Sequence, residues 1–194
     1  MTASALDDRS RWEKRYAAGI SNEAAAGYLV QHADRLGGRI LDVAGGSGRN
    51  AIYLARHGAC VDIVDIAFNG LSFAVAVATQ ERLQLRAVQA DLTNLPLPQR
   101  TYDAIINFRY LQRSLFASLQ DALKPGGLVL FESFLIDQQS VGHPRNPDFL
   151  LQRGELRRAF AHFEIVDYWE GLTDEIHPAY VARMLARRPL VRWD

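Results

Sequence analysis

Short apolar runs alternate with longer amphipathic stretches along most of the chain. Runs of strand length that end at glycine, proline or acidic residues are typical of buried parallel strands, and the stretches between them favour helices. This alternation predicts an α/β protein with a mostly parallel sheet. The predicted strands are residues 39–44, 60–65, 85–91, 102–108, 128–134, 163–170 and 180–186, and the predicted helices are residues 23–36, 49–57, 69–82, 114–123 and 154–161.

The pattern changes after the fifth predicted strand. Residues 136–153 are polar and contain Gly142, Pro144 and Pro147. A loop of this length in a compact domain usually has a function, so we expect it to cover a binding pocket, the alternative being a mobile surface excursion. The two strands after it are joined without a crossover helix, so we expect them to pair antiparallel.

The chain length and the lack of a linker-like segment between two cores predict one domain over residues 1–194. We divide it into an N-terminal helical cap (1–36), a binding core (37–134), and a segment with the long loop and the terminal strands (135–194). The 22 basic and 22 acidic residues balance, so no overall charge favours nucleic acid or an anionic membrane. The sequence shows neither a targeting segment nor an apolar span, and we expect a cytoplasmic protein. The single cysteine, Cys60, excludes an intramolecular disulfide and a cysteine metal cluster, and the scattered histidines predict no metal site.

The first strand leads into a glycine-rich turn, Ala44-Gly45-Gly46-Ser47-Gly48. Glycine lets the backbone turn sharply into a helix and lets a ligand approach without a Cβ in the way. The spacing of Gly46 and Gly48 also satisfies a loose dinucleotide-binding pattern, and a purely structural turn would look the same.

Acidic residues end the next two predicted strands, Asp65 the second and Asp91 the third. An acid about twenty residues beyond such glycines accepts hydrogen bonds from ribose hydroxyls, and ligands bind at the carboxyl ends of parallel strands. Asp91 with Leu92 would meet the edge of an adenine. Each acid alone is equally compatible with a helix cap or a turn.

With these motifs the sequence resembles the class I methyltransferases that use S-adenosylmethionine. The likeness lies in residues 41–50, 64–66, 89–92, 102–106 and 123–130. More narrowly, Trp12-Glu13-Lys14-Arg15-Tyr16, Gly48-Arg49-Asn50 and residues 108–113 and 144–151 look like the tellurite-resistance and thiopurine-type small-molecule branch.

The resemblance, with the right-handed crossover rule, implies a Rossmann-like, doubly wound sheet of seven strands in the order 3-2-1-4-5-7-6, with strand 7 antiparallel. It implies cofactor contacts from the glycine turn, a ribose contact from Asp65, an adenine contact from Asp91 with Leu92, and a contact between the Asn107 carbonyl and the amino group of the methionine part. The full implied set is Arg15, Tyr16, Asp42, Ala44, Gly45, Gly46, Gly48, Asn50, Asp65, Ile66, Asp91, Leu92 and Asn107.

Two positions of the turn depart from the family pattern. Ala44 stands where the first glycine is usual, and Gly45 stands at a familiar cysteine position. Alanine there requires a negative φ, so we expect Ala44 to adopt one.

The resemblance implies methyl transfer to a small molecule by in-line displacement, with positioning in place of a dedicated catalytic dyad. The candidate acceptor-side residues are Arg109, Tyr110, His143 and Arg145. An arginine fork would hold an oxyanion such as a carboxylate or an oxo-metalloid, and His143 is the one neutral-pH base in the loop. The alternatives are that Arg109 and the nearby Arg113 pair with surface acids and that His143 is inert.

The N-terminal motif would fold over the cofactor, with Arg15 facing its carboxylate and Tyr16 near the sulfonium, since aromatic faces attract cations. An amphipathic helix that only packs on the domain is compatible with this. Two rival functions stay open, a nicotinamide-dependent oxidoreductase and a domain that binds the cofactor without turnover. We expect a monomer or a homodimer.

Overall fold

The computed structural model describes residues 3–19, 24–93 and 95–190, and its centre is a seven-stranded sheet. The strand order is β3-β2-β1-β4-β5-β7-β6, which confirms the predicted order. The strands are β1 (Arg39–Val43), β2 (Cys60–Asp65), β3 (Leu85–Gln89), β4 (Tyr102–Phe108), β5 (Leu123–Phe134), β6 (Glu164–Leu172) and β7 (Tyr180–Arg187).

The direction of pairing divides the sheet into two parts. β1 to β5 pair in parallel, whereas β7 runs antiparallel to both of its neighbours, β5 and β6. The predicted antiparallel strand 7 is therefore confirmed. Because the chain leaves β1 toward β2 on one side and later returns to β4 on the other, the sheet has its switch point between β1 and β4, where ligands bind in open α/β sheets.

Helices cover both faces of the sheet. They are α1 (Ala3–Ala17), α2 (Gly27–His32), α3 (Arg49–Arg56), α4 (Phe68–Glu81), α5 (Leu115–Ala122) and α6 (Glu155–Ala159). One buried cluster joins α2, α3 and α4 to the sheet through side chains such as Leu29, Leu54 and Leu71. A second joins α5 and α6 to the other face through Leu119 and Leu156. None of the helices in the described ranges is long and apolar enough to cross a membrane.

Two element boundaries differ most from the predictions. The predicted helix over 23–36 is shorter, since α2 spans Gly27–His32 and a 3-10 turn (Ala33–Arg35) follows it; Glu23 lies outside the described residues. The prediction stops the α5 helix at Leu123 and starts the fifth strand at Leu128, whereas β5 begins at Leu123, which pairs with Tyr102. The glycines before Leu128 also exchange backbone hydrogen bonds with Arg188, which keeps this segment extended.

The long loop is anchored and is not a free excursion. It contains two 3-10 turns, Ile136–Ser140 and Pro147–Phe149, and Leu151 bridges back to Leu135. Leu150 and Leu151 are fully buried in the core. The apolar anchors lie at the ends of the loop, and its middle, which includes the tip at residues 141–146, is largely exposed.

Candidate functional site

The turn between β1 and α3 is built from left-handed backbone. The φ angles are +52° at Ala44, +59° at Gly46 and +80° at Gly48. The expected negative φ at Ala44 is therefore wrong: the turn requires a left-handed residue at the position where the family has glycine. An alanine held there costs about 1–2 kcal/mol, and the surrounding contacts must offset that strain.

Asp42 lies directly beneath the turn. Its side chain is buried, and its Oδ2 has no hydrogen-bond partner among the described residues. A Cβ on Gly45 would stand 2.7 Å from that oxygen, so only glycine fits above it. Burial, together with the neighbouring charge of Asp65, raises the pKa of the Asp42 carboxyl to about 8.

This raised pKa predicts a stability that depends on pH. The ordinary pKa of this carboxyl is 3.8, which we take for the unfolded chain, so the folded protein holds the proton more tightly. The contribution of Asp42 to folding is then complete below pH 4 and is lost as the pH rises toward 8, by at most about 1.4 kcal/mol for each pH unit. Asp42→Asn should remove this dependence in urea unfolding at pH 5 and pH 8. Parent and variant with parallel pH profiles would contradict it, and Glu164→Gln, at an exposed position, is the control.

Asp65 fastens the glycine turn to the start of α4. Its Oδ2 accepts a hydrogen bond from Gly46 N at 2.8 Å and its Oδ1 accepts one from Ala67 N at 2.8 Å. The carboxyl is buried, and that burial raises its pKa even though backbone donors oppose the shift. Asp65 therefore lies beside the middle glycine of the turn, and its contact with a ribose stays a prediction.

The N-terminal helix α1 lies across the turn. The Tyr16 hydroxyl occupies the place where a Cβ on Gly46 would be, and the Tyr16 ring lies 3.1 Å from where a Cβ on Gly70 would be. The Glu13 carboxylate accepts hydrogen bonds from Phe68 N at 2.7 Å and Asn69 N at 2.9 Å, at the positive end of α4. Helix α1 thus contacts the glycine turn through Tyr16 and the start of α4 through Glu13.

Glu13 and Gly70 are site residues that sequence reasoning missed. Glu13 stands inside the Trp12–Tyr16 motif, yet its partners at α4 are 55 and 56 residues away. Gly70 interrupts a helical pattern, which is the signal that was available. A Cβ there would stand 2.9 Å from the Gly46 backbone, so Gly70 allows α4 to approach the turn.

The close packing of Tyr16 predicts the effect of a methyl group on Gly46. Gly46→Ala should push Tyr16 away and weaken S-adenosylhomocysteine binding by about tenfold or more. Adding Tyr16→Phe should restore part of the affinity, because the hydroxyl is the atom in collision. The control is Gly58→Ala, which has a φ of +88° but no atom within 4 Å of its Cβ position. Equal affinities in parent and Gly46→Ala, measured by calorimetry, would refute the packing argument.

The neighbouring Arg15 packs on Trp12. Its guanidinium lies 5.1 Å from the centre of the Trp12 ring, and Trp12 in turn stacks on Tyr16 at 6.0 Å. Arg15 is exposed. Its contact with a cofactor carboxylate stays a prediction.

The adenine-side candidates follow β3. The strand ends at Gln89, earlier than predicted, and Asp91 closes a turn by accepting hydrogen bonds from Thr93 N at 2.9 Å and Thr93 Oγ1 at 2.7 Å. Leu92 is buried, whereas Ile66 is partly exposed. The turn alternative for Asp91 is thus present in the structure, and its adenine contact stays a prediction.

Asn107 and Tyr110 lie at the end of β4, beside the end of β1. Val43 pairs with Asn107, and the Asn107 side-chain amide donates to the Tyr110 carbonyl at 2.8 Å. Burial raises the pKa of the Tyr110 hydroxyl to about 12, and the charges of Asp91 and Asp65 act in the same direction. Tyr110 is therefore held at the end of β4 by Asn107, beside the start of the glycine turn.

Arg109 pairs with a buried acid and not with the surface. Its Nε lies 3.1 Å from Glu132 Oε1, and its guanidinium lies 4.4 Å from the centre of the Phe134 ring. Arg183 binds the other oxygen of Glu132, with an Nε–Oε2 distance of 2.6 Å. Sequence reasoning missed Glu132 and Arg183, although an acid within an apolar central strand is a recognisable signal.

The remaining candidates lie elsewhere. Asn50 Oδ1 accepts a hydrogen bond from Ala26 N at 3.0 Å, so this side chain ties α3 to the segment before α2. His143 and Arg145 are exposed at the tip of the long loop. Arg113 holds the base of that loop through Glu155 at 2.6 Å and the Leu150 carbonyl at 2.8 Å, which is the structural role left open for it.

The chemistry of the turn fits S-adenosylmethionine. Gly45, Gly46 and Gly70 allow the turn to pack closely against Asp42, Tyr16 and α4, and two buried acids, Asp42 and Asp65, stand beside the turn. An acid at the position of Asp65 accepts hydrogen bonds from ribose hydroxyls, and S-adenosylmethionine contains such a ribose. The donor set is therefore compatible with the cofactor that the resemblance implies.

Comparison with known proteins supports the same family. Residues 40–127 match the methyltransferase domain family. The chain is 34% identical over 112 residues to a ubiquinone biosynthesis O-methyltransferase of Nitrosococcus oceani, covering 55% of this chain and 48% of that protein. It is 27% identical over 146 residues to a probable S-adenosyl-L-methionine-dependent methyltransferase, TehB, of Haemophilus influenzae, covering 72% of this chain and 50% of that protein.

The crystal structure of TehB from Haemophilus influenzae has the same fold, with a TM-score of 0.77 at 22% identity. The alignment covers 91% of this chain and 67% of TehB. The chain spans about half the length of the curated relatives it matches. Strand order, glycine turn and these matches agree: residues 40–127 are similar to the methyltransferase domain family, and the chain shares its fold with TehB.

Proposed function

We propose that this protein transfers the methyl group of S-adenosylmethionine to a small-molecule acceptor. The observation that carries the proposal is the glycine turn held between Asp65 and α1 at the switch point of the sheet. That is the edge where open α/β sheets bind ligands.

Each part of the cofactor has candidate contacts on this edge. The turn from Ala44 to Gly48, the Asn107 carbonyl and Arg15 would hold the methionine part, Asp65 the ribose, and Asp91 with Leu92 the adenine. When bound, the cofactor supplies a methyl group activated by its sulfonium: the acceptor's lone pair forms the new bond as the carbon–sulfur bond breaks, and sulfur keeps that electron pair.

The protein's own part in such a reaction is positioning. Orienting two reactants is worth on the order of 7–11 kcal/mol in favourable systems, so a separate acid–base dyad is not required. Glu13 and Tyr16 hold α1 against the turn, where the helix shields it from water. Tyr110 and Arg109 stand at the end of β4 on the acceptor side.

The antiparallel β7 is the feature that disfavours a nicotinamide-dependent oxidoreductase, whose sheet continues parallel. Asp42 beneath the turn adds a second reason, because the strand before a dinucleotide fingerprint normally lacks such an acid. Binding without turnover is the remaining alternative. Incubation with S-adenosylmethionine carrying a tritiated methyl group and a panel of phenols, thiols, carboxylates and amines distinguishes it. We expect tritium in at least one acceptor and the release of one S-adenosylhomocysteine for each methyl group transferred. Tight binding of the cofactor without transfer to any acceptor would favour a domain that binds the cofactor as a sensor.

The exposed tip of the long loop gives a further prediction. If residues 141–146 cover the acceptor, Arg145→Ala should lower turnover several-fold while the affinity for S-adenosylhomocysteine stays within about twofold of the parent. Arg100→Ala, at an exposed position outside the loop, is the control. Turnover equal to that of the parent would remove the loop tip from the acceptor site.

A further inference from the structure

Two arginines share one buried carboxylate next to the proposed methyl-transfer site. The Glu132 side chain is 3% exposed, and its two oxygens are occupied separately by Arg109 and Arg183. Two cations thus face one buried anion. Each guanidinium has donors left over once Glu132 is saturated.

The leftover donor on Arg109 is buried. Its Nη1 is inaccessible to solvent and has no hydrogen-bond partner among the residues that the structure describes. Phe134 covers the face of the Arg109 guanidinium, so a ligand would bind the edge of the guanidinium. A buried donor without a protein partner is costly, so Nη1 requires a partner from outside the described part of the chain, such as a ligand or an ordered water.

The backbone fixes where this donor points. Arg109 has a φ of +60°, a left-handed conformation that a non-glycine residue rarely adopts. Its backbone N–H donates to the Glu132 carbonyl at 2.8 Å, which holds the strained residue against β5. The strained backbone and the ion pair together orient the guanidinium.

Arg109 is close to the methionine end of the proposed cofactor site. It follows Asn107, which pairs with the last residue of β1, by two residues. The charge of Arg49, the residue after the glycine turn, helps burial to lower the pKa of Arg109. Arg109 therefore lies near the end of β1, where the glycine turn begins.

A second carboxylate reaches this pair from the surface. Glu175, in the turn between β6 and β7, binds Arg183 Nη2 at 2.5 Å, and its side chain is 45% exposed. Exposed ion pairs contribute about 0–1 kcal/mol. Glu175 is therefore a counter-ion that a ligand can replace, whereas Glu132 is a permanent one.

We propose that Arg109 binds a carboxylate group on the methyl acceptor and that Glu175 is the exchangeable counter-ion of this site. The inference rests on the proposed function and narrows its acceptor to anionic molecules. A planar guanidinium matches a carboxylate in shape and donor spacing. A neutral acceptor would leave Nη1 without a charged partner.

The test uses protein saturated with S-adenosylhomocysteine and two matched pairs of probes at constant ionic strength. The pairs are 4-hydroxybenzoate with 4-hydroxybenzamide, and 3-mercaptopropionate with 3-mercaptopropionamide. Dissociation constants from NMR titration should favour the carboxylates by about tenfold or more. Equal affinity for acid and amide in both pairs would overturn the inference.

Variants assign the preference to named residues. Arg109→Lys keeps a cation for Glu132 but lacks the fork, so it should lose most of the preference; Glu175→Gln should strengthen carboxylate binding several-fold. Arg187→Lys, on the same strand as Arg183 but paired with exposed Glu164, is the control. A preference that survives in Arg109→Lys overturns the assignment. Failure of the parent to bind S-adenosylhomocysteine contradicts the proposed function itself, whereas binding without carboxylate preference contradicts only this inference.

Discussion

Asp65→Ala should weaken the binding of S-adenosylhomocysteine by about two orders of magnitude or more. Two hydrogen bonds from ribose hydroxyls to a carboxylate are worth about 1.5–3 kcal/mol each, and about 1.4 kcal/mol is a tenfold change in affinity. The variant also releases Gly46 N and Ala67 N, which Asp65 now holds, so the turn itself should loosen. Isothermal titration calorimetry measures the loss, and circular dichroism shows whether the variant is folded.

The matched control for Asp65 is Asp103→Ala. Asp103 accepts a hydrogen bond from Arg39 N at 2.8 Å, at the opposite edge of the sheet. The Asp103→Ala variant should be less stable than the parent but should bind S-adenosylhomocysteine with the same affinity. A folded Asp65→Ala protein that binds S-adenosylhomocysteine as the parent does would remove Asp65 from the cofactor site.

Glu132→Ala should cost about 3–5 kcal/mol of unfolding free energy, the usual effect of leaving a buried charge without its partner. Arg109 and Arg183 would then face each other without the carboxylate between them. Because both arginine side chains retain some exposure, at 25% and 17%, we expect the lower end of this range. Urea unfolding followed by circular dichroism measures the change.

Two further variants, Glu132→Gln and Glu164→Ala, serve as comparisons for the stability loss in Glu132→Ala. The first keeps the shape of the side chain and should lose less than the alanine variant. The second removes an exposed partner of Arg187 and should cost at most about 1 kcal/mol. Equal losses in Glu132→Ala and Glu164→Ala would show that the two arginines do not depend on Glu132.

The fold was predictable because its signal is local. The central strands β1, β2, β4 and β5 carry buried apolar runs, and the alternation of strand and helix patterns along the chain located all seven strands. The start of β5 was not predictable, since Leu123 is held in the sheet by Tyr102 and the segment after it by Arg188, which are distant in sequence. The division into one domain with a cap stays a prediction.

The candidate site was predictable only in part. Glycine turns and acids at strand ends can be recognised from a few neighbouring residues, and the structure brings Gly46 and Asp65 together. Ala44 was misjudged because its φ depends on the whole turn and not on its own preference. Glu13, Gly70 and Glu132 escaped because their roles depend on partners in other elements, which spacing along the chain does not reveal.

The long loop shows the same limit. Its prolines and polar residues suggested a cover, but Leu150 and Leu151 anchor it in the core. That apolar pair was the local signal for anchoring. The predicted contact of the loop tip with Arg109 or Tyr110 stays a prediction.

Calorimetric titration of the purified protein with S-adenosylhomocysteine, and separately with NAD⁺, tests the central claim most directly. We predict saturable one-to-one binding of S-adenosylhomocysteine with a dissociation constant in the micromolar range, about −8 kcal/mol, and no measurable heat with NAD⁺. Binding of NAD⁺ in preference to S-adenosylhomocysteine, or of neither, would contradict the assignment of the glycine turn and Asp65 to a methyl-donor site.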